Sequence, residues 1–109
     1  MKSQYFKYYR SDFGEVLYKL RTKYNLTQYF LSQILGCALV SIYLWEKGRT
    51  KPSIKMISKL TLIFDVRSDY FLDHSYQKDK DYIELLNTIK TLRKENLKRN
   101  FLKDFDVNL

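Results

Sequence analysis

The amino-acid sequence predicts an all-α fold, in which five short helices precede a C-terminal helix. Apolar residues recur three and four positions apart along most of the chain, which is the spacing of helices that bury one face. Only three glycines and one proline occur among 109 residues, and 45% of the residues are hydrophobic. This composition is typical of helices packed around a core, and it disfavours a loop-rich or all-β protein.

Residues 1–12 mix aromatic and basic side chains, and we expect them to form an N-terminal arm. The first helix is predicted over residues 13–24, where the apolar positions share one face: Phe13, Val16, Leu17 and Leu20.

The second helix is predicted to begin after Thr27, whose side chain is a suitable N-cap, and to end at Leu35. Its spacing predicts that Phe30, Leu31 and Ile34 are buried.

The third helix is predicted over residues 38–47. Gly36 can adopt the left-handed backbone conformation that ends the preceding helix, and Gly48 follows the third helix. Ile42 and Trp45 lie three positions apart, so both fall on one face of this helix and should be buried.

A fourth helix is predicted to start at residues 52–53, and a short helical turn is predicted over residues 68–72. The apolar face of the fourth helix comprises Ile54, Ile57, Leu60 and either Ile63 or Phe64. We expect one domain over residues 13–73, a polar linker over residues 74–81 and a helical segment over residues 82–109.

The second and third helices form the layout of a helix-turn-helix. In that motif the second helix of the pair enters the DNA major groove. A basic loop follows it, with cations at Lys47, Arg49 and Lys51 that would neutralise DNA phosphates. The net charge of +8 also favours a polyanionic partner.

An ordered series of short motifs covers more than half of the chain and resembles the Cro/phage-repressor type of helix-turn-helix domain, the XRE class. This resemblance implies a five-helix DNA-binding module. The matching residues are Leu20-Arg21, Leu26-Thr27-Gln28, Leu31, Gly36, Ser41-Ile42, Trp45-Glu46-Lys47-Gly48, Lys51-Pro52-Ser53, Phe64-Asp65-Val66 and Asp69-Tyr70-Phe71-Leu72.

The resemblance assigns roles to individual residues. Arg21 and Glu46 match positions that form a structural ion pair between the first helix and the end of the third. Gln28 matches a position that contacts a DNA phosphate. Independently of the resemblance, the hydroxyl of Thr27 could add a neutral phosphate contact. Base edges would be met from Leu39, Val40, Tyr43 and Leu44, with Ser41 at the margin.

These base-facing positions depart from the family pattern because they are nearly all apolar. Bidentate amide or guanidinium contacts distinguish base pairs in the major groove, whereas Leu and Val can touch only thymine methyl groups. Two hypotheses therefore remain open. The chain is either a DNA-binding regulator, taken to be a repressor, or a modified helix-turn-helix protein whose apolar face binds a protein such as an inhibitor or antirepressor.

The C-terminal segment carries an apolar stripe that an isolated helix would not leave in water. The stripe either packs back on its own chain or pairs with a second copy. We expect a homodimer, because helix-turn-helix proteins usually bind two half-sites about 34 Å apart. The stripe comprises Tyr82, Leu85, Leu86, Ile89 and Leu92, and it continues with Leu97, Phe101 and Phe105.

Catalytic and metal-binding patterns are missing from the sequence, which predicts no enzyme activity, no cofactor and no metal. His74 is the single histidine and Cys37 the single cysteine, so an internal disulfide is excluded. Cys37 is expected to pack in the core. No apolar run has the length of a membrane span, and the N-terminus lacks a signal-peptide pattern, so we expect a cytoplasmic protein without a membrane partner.

Overall fold

The structure is a computed structural model, and it describes residues 5–99. These residues form five α-helices: α1 (Phe13–Lys23), α2 (Gln28–Leu35), α3 (Leu39–Glu46), α4 (Ile54–Ile63) and α5 (Lys80–Arg99). Two short 3₁₀-helices, Phe6–Tyr8 and His74–Tyr76, complete the regular structure. The described residues contain no strand, only an isolated bridge between Tyr9 and Leu72. The predicted all-α fold class is confirmed.

Residues 12–52 form one compact unit, which contains α1, α2 and α3. Thr27 caps α2 by accepting a hydrogen bond from the backbone N–H of Phe30, as the sequence predicted. Gly36 ends α2 with a φ of +72°, in the left-handed region that glycine adopts without strain. The buried apolar side chains of this unit are Phe13, Val16, Leu17, Leu20, Leu31, Ile34, Leu35, Ile42 and Trp45.

The other compact unit joins residues 5–11 to residues 53–99. The N-terminal residues pair with the segment before α5, since the N–H of Arg10 donates to the carbonyl of Phe71 and the N–H of Asp73 donates to the carbonyl of Tyr8. Within this unit α4 packs against α5. Residues 5–11 therefore pair with the segment before α5 in the same unit.

Three local predictions are corrected by the structure. Residues 68–71 form turns and no helix, so the fifth helix of the fold is α5. The expected linker over residues 74–81 contains a 3₁₀-helix and the first residues of α5. Phe30 is exposed, because the buried stripe of α2 is formed by Leu31, Ile34 and Leu35. At 3.6 residues per turn, Phe30 lies about 100° around the helix from Leu31, at the edge of that stripe.

The expected dimerisation stripe is also corrected. Tyr82, Leu85 and Ile89 are buried within their own chain, where α5 packs against α4 and the ring of Tyr8 contacts that of Tyr82 edge-on. Buried side chains cannot also form an exposed dimer surface. Leu86 and Leu92 are half-buried, and the predicted positions Phe101 and Phe105 lie outside the described residues.

No single helix in residues 5–99 has both the length and the apolar character needed to cross a membrane. The bent pair α2 and α3 meets the same criterion by length and composition when the two helices are taken together.

Candidate nucleic-acid interface

The helices α2 and α3 form a sharp corner that determines which side of α3 is exposed. The chain turns by 115° between them, within the range of helix-turn-helix motifs. Ile42 and Trp45 of α3 are buried, so the back of this eight-residue helix is held in the core. Ala38 stands at its N-cap and provides no side-chain cap, which costs about 1 kcal/mol relative to Ser or Asp.

The front of α3 is exposed and apolar. Leu39, Val40 and Tyr43 retain 46%, 57% and 47% of their accessible surface, respectively. Ser41 and Leu44 are half-buried at the margins. We call Leu39, Val40 and Tyr43 the α3 front face. The five positions expected to meet bases thus divide into an exposed centre and a half-buried edge.

A buried polar network fixes the end of α3 within its unit. The Nε and Nη2 atoms of Arg21 donate to the two carboxylate oxygens of Glu46 at 2.6 and 3.0 Å. Arg21 Nη1 donates to the carbonyl of Leu26 at 2.8 Å. The hydrogen bond to Glu46 raises the pKa of Arg21, and its positive charge is therefore retained. This bidentate pair sets the orientation of α3 on α1.

Gln28 joins this network from the first turn of α2. Its Nε2 donates to Oε1 of Glu46 at 2.9 Å, and the side chain is half-buried. This bond uses one of the two amide hydrogens, so the other remains for an external acceptor. Thr27 is an exposed residue, and its hydroxyl caps α2. Both residues stand at the N-terminus of α2, where the helix dipole favours an anion.

The basic loop follows directly after α3. Lys47 and Arg49 are exposed, and Lys51 is half-buried. The ammonium nitrogen of Lys47 lies 5.6 Å from the ring centroid of Tyr43, so a cation stands beside the α3 front face. Gly48 has a φ of +73°, and this left-handed residue turns the chain between Lys47 and Arg49.

Gly14, which none of the predicted sites includes, determines how closely α1 approaches α3. A Cβ atom at this position would lie 2.5 Å from the carbonyl oxygens of both Trp45 and Glu46. Only glycine permits that approach without displacing backbone. In the sequence, an isolated glycine within a helical pattern is the signal that indicates such close packing.

The remaining candidate residues are Cys37 and His74. Within residues 5–99, no group of three or more His, Cys, Asp and Glu side chains is placed to hold a metal ion. Cys37 is half-buried, and His74 lies 3.6 Å from the carboxylate of Asp69.

Comparisons with known proteins agree with this geometry. The helix-turn-helix family model matches residues 17–71. The chain is 35% identical over 81 residues to the SPbeta prophage-derived uncharacterized HTH-type transcriptional regulator YonR of Bacillus subtilis (strain 168), and the alignment covers 73% of each protein. It is 31% identical over 88 residues to the HTH-type transcriptional activator BcrR of Enterococcus faecalis, covering 81% of this chain and 39% of that protein. No solved structure matches the chain significantly. The chain belongs to the Cro/phage-repressor-type family of helix-turn-helix proteins.

Proposed function

We propose that this protein is a non-enzymatic, DNA-binding transcriptional regulator that inserts α3 into the major groove. The observation that supports this most directly is the exposed α3 front face with the ammonium group of Lys47 beside Tyr43. A second exposed cation, Arg49, follows two residues later in the same loop. Both relatives carry names of transcriptional regulators, which supports the same role. A cytoplasmic location follows from this proposed target.

Contacts to phosphate would supply most of the affinity in this proposal. Lys47 and Arg49 would neutralise phosphates at the edge of the groove, with Lys51 nearby in sequence. Thr27 and the free amide hydrogen of Gln28 would contact a phosphate at the N-terminus of α2. These contacts position the protein without distinguishing one base pair from another.

Sequence preference would come from the α3 front face and from DNA shape. The side chains of Leu39 and Val40 can contact thymine methyl groups, and the Tyr43 hydroxyl can form one hydrogen bond with a base edge. Leu44 and Ser41 would contribute at the margin. We therefore propose a T-rich site whose deformability adds to the preference.

Repression and two-fold binding are further parts of the proposal. A dimer with half-sites about 34 Å apart would follow the usual geometry of the motif. The buried side chains Tyr82, Leu85 and Ile89 do not supply its interface. Sedimentation with and without a selected duplex tests the dimer. A promoter reporter tests whether the protein represses or activates transcription. The name of one relative describes that relative as an activator.

A second candidate function rests on the same exposed face. Three neighbouring apolar side chains on the front of α3 are unusual for DNA recognition and typical of a protein contact. In this alternative the α3 front face binds a protein, such as an inhibitor or antirepressor.

Two sets of variants separate the two functions. Lys47→Gln and Arg49→Gln should weaken binding to every duplex and lower the salt dependence by about one unit per lost phosphate contact if the protein binds DNA. Tyr43→Ala should relax sequence preference while leaving nonspecific binding intact. Lys98→Gln removes the same charge from α5 and serves as the control.

Binding is measured by fluorescence anisotropy at two salt concentrations, on duplexes selected from a random pool. If the α3 front face binds a protein instead, the loop variants would have little effect, and Leu39→Glu would abolish partner capture without unfolding the chain. DNA affinity no greater than that of an unrelated basic protein would exclude the regulator proposal.

A further inference from the structure

A surface pocket of about 300 Å³ lies in the C-terminal unit, between residues 67–69 and one side of α5. Leu86, Lys90 and Arg93 are spaced four and three residues apart, so they share that side of the helix. The volume is at the lower end of the range for small-molecule sites. The pocket is lined by Arg67, Ser68, Asp69, Leu86, Lys90 and Arg93.

The lining of this pocket is strongly basic. Three cations and one carboxylate give it a net charge of +2. The carboxylate of Asp69 is only 13% exposed and is already engaged, since it accepts from Nε of Arg67 at 3.2 Å and lies 3.6 Å from Nε2 of His74. Lys90 is exposed, and no acidic side chain among residues 5–99 pairs with it.

Arg93 is held in place before any ligand arrives. Its Nη1 donates to the carbonyl of Val66 at 2.7 Å, and its side chain is 27% exposed. Its Nη2 lies 3.8 Å from the carboxylate of Asp65, which is almost fully exposed and therefore screened by water. The remaining N–H groups of a fixed guanidinium suit an oxyanion, because little side-chain entropy is lost on binding.

We propose that this pocket binds a phosphate group, with Arg93 and Lys90 as its principal donors. A dianion matches the net charge of the lining, and its tetrahedral oxygens can accept from a guanidinium and an ammonium together. Leu86 adds an apolar surface for a sugar-sized group attached to the phosphate. The phosphate comes either from a small phosphate ester or from the backbone of bound DNA. The site itself is independent of the regulator proposal.

The test uses the full ¹⁵N-labelled chain and inorganic phosphate, with ionic strength held constant by sodium chloride. Saturable amide shifts are expected at residues 66–69 and 86–93. Lys90→Gln should weaken phosphate binding about tenfold, the equivalent of one charge-assisted hydrogen bond. Lys94→Gln removes an exposed charge one turn further along α5 and should leave the affinity unchanged.

Shifts scattered over the basic residues of the chain, absence of saturation, or equal losses in both variants would overturn the phosphate site. Because Lys90 is exposed and unpaired within residues 5–99, its replacement should not unfold the protein.

A second arm of the experiment identifies the source of the phosphate. In phosphate-free buffer, the salt dependence of duplex binding is measured for the parent and both variants. If the slope of log affinity against log salt concentration falls by about one unit in Lys90→Gln alone, the site binds a DNA phosphate. An unchanged slope, together with the lost phosphate shifts, assigns it to a small phosphate ester. If the chain binds no duplex at all, the regulator proposal fails while the phosphate shifts still report on the pocket.

Discussion

Replacing Arg21 with alanine should destabilise the protein severely. Arg21 and Glu46 have side chains that are only 11% and 5% exposed, and two hydrogen bonds of 2.6 and 3.0 Å join them. The Arg21→Ala variant would leave the Glu46 carboxylate buried, with Gln28 as its remaining hydrogen-bond partner among residues 5–99. An uncompensated buried charge is one of the most unfavourable consequences that a single substitution can have.

The magnitude follows from this burial. Removing one partner of a buried ion pair costs about 3–5 kcal/mol. A loss of 1 kcal/mol lowers the melting temperature of a domain of this size by about 4–8 °C, so we expect a decrease of more than about 12 °C. Glu46→Ala should act similarly, because it strands the guanidinium and also removes the acceptor for Gln28.

The exposed pair between Lys19 and Glu15 provides a matched control on the same helix, α1. Its charged atoms are 3.2 Å apart, but the two side chains are 73% and 66% exposed. Lys19→Ala should therefore change the stability by less than about 1 kcal/mol. Urea denaturation followed by circular dichroism measures the free energy of unfolding of Arg21→Ala, Glu46→Ala and Lys19→Ala.

A double variant, Arg21→Met with Glu46→Leu, tests the mechanism. It removes both charges of this buried pair and should be more stable than either single alanine variant. If Arg21→Ala unfolds at the same urea concentration as Lys19→Ala, or if the double variant loses the sum of the two single losses, the buried-charge argument is refuted.

Three further predictions concern the cores of the two units. Leu85→Ala should lower the free energy of unfolding by about 2–5 kcal/mol, because this side chain is fully buried. The substitution should leave the sedimentation coefficient unchanged. Altered association with unchanged stability would contradict the place of Leu85 in the core. Gly14→Ala should lower the free energy of unfolding, measured by urea denaturation, by about 1–3 kcal/mol. Alanine favours helices, but its Cβ would meet the carbonyl oxygens of Trp45 and Glu46. A stabilised variant would disprove this close approach. Burial raises the pKa of Tyr8 from 10.0 to about 12. The contribution of its neutral phenol to stability is therefore fully present below pH 10 and is lost as the pH rises through about 12. Tyr8→Phe should therefore shift the alkaline unfolding midpoint, followed by circular dichroism, to higher pH; an unchanged midpoint would mean that Tyr8 does not control the transition.

Much of the helix-turn-helix could be predicted because its signals are local. Thr27 caps the helix that follows it, and Gly36 adopts a left-handed backbone conformation that costs glycine no strain. Ile42 and Trp45 are buried, as their three-residue spacing predicted. In each case the physical cause lies within about one helical turn of the residue concerned.

Two other features, the burial of α5 and the role of Gly14, depend on residues far along the chain. The spacing of Tyr82, Leu85 and Ile89 shows that one side of α5 is buried, but periodicity carries no information about the surface that buries it. That surface includes α4, which is separated from α5 by the segment that was expected to be a linker. Gly14 was overlooked for the same reason, since the backbone it approaches is about 30 residues away.

The apolar character of α3 links these structural arguments to function. A helix with apolar residues on all sides is normally buried on all sides. Here the back face, with Ile42 and Trp45, is buried, whereas Leu39, Val40 and Tyr43 remain exposed. The ion pair at the end of α3 joins it to α1, and the left-handed turn at Gly36 ends the preceding helix, α2. Contact between this apolar face and water is unfavourable for a protein that has no bound partner. The cations in the loop after α3 make a polyanion the first partner to test. The salt dependence of binding distinguishes a polyanion from an apolar protein surface.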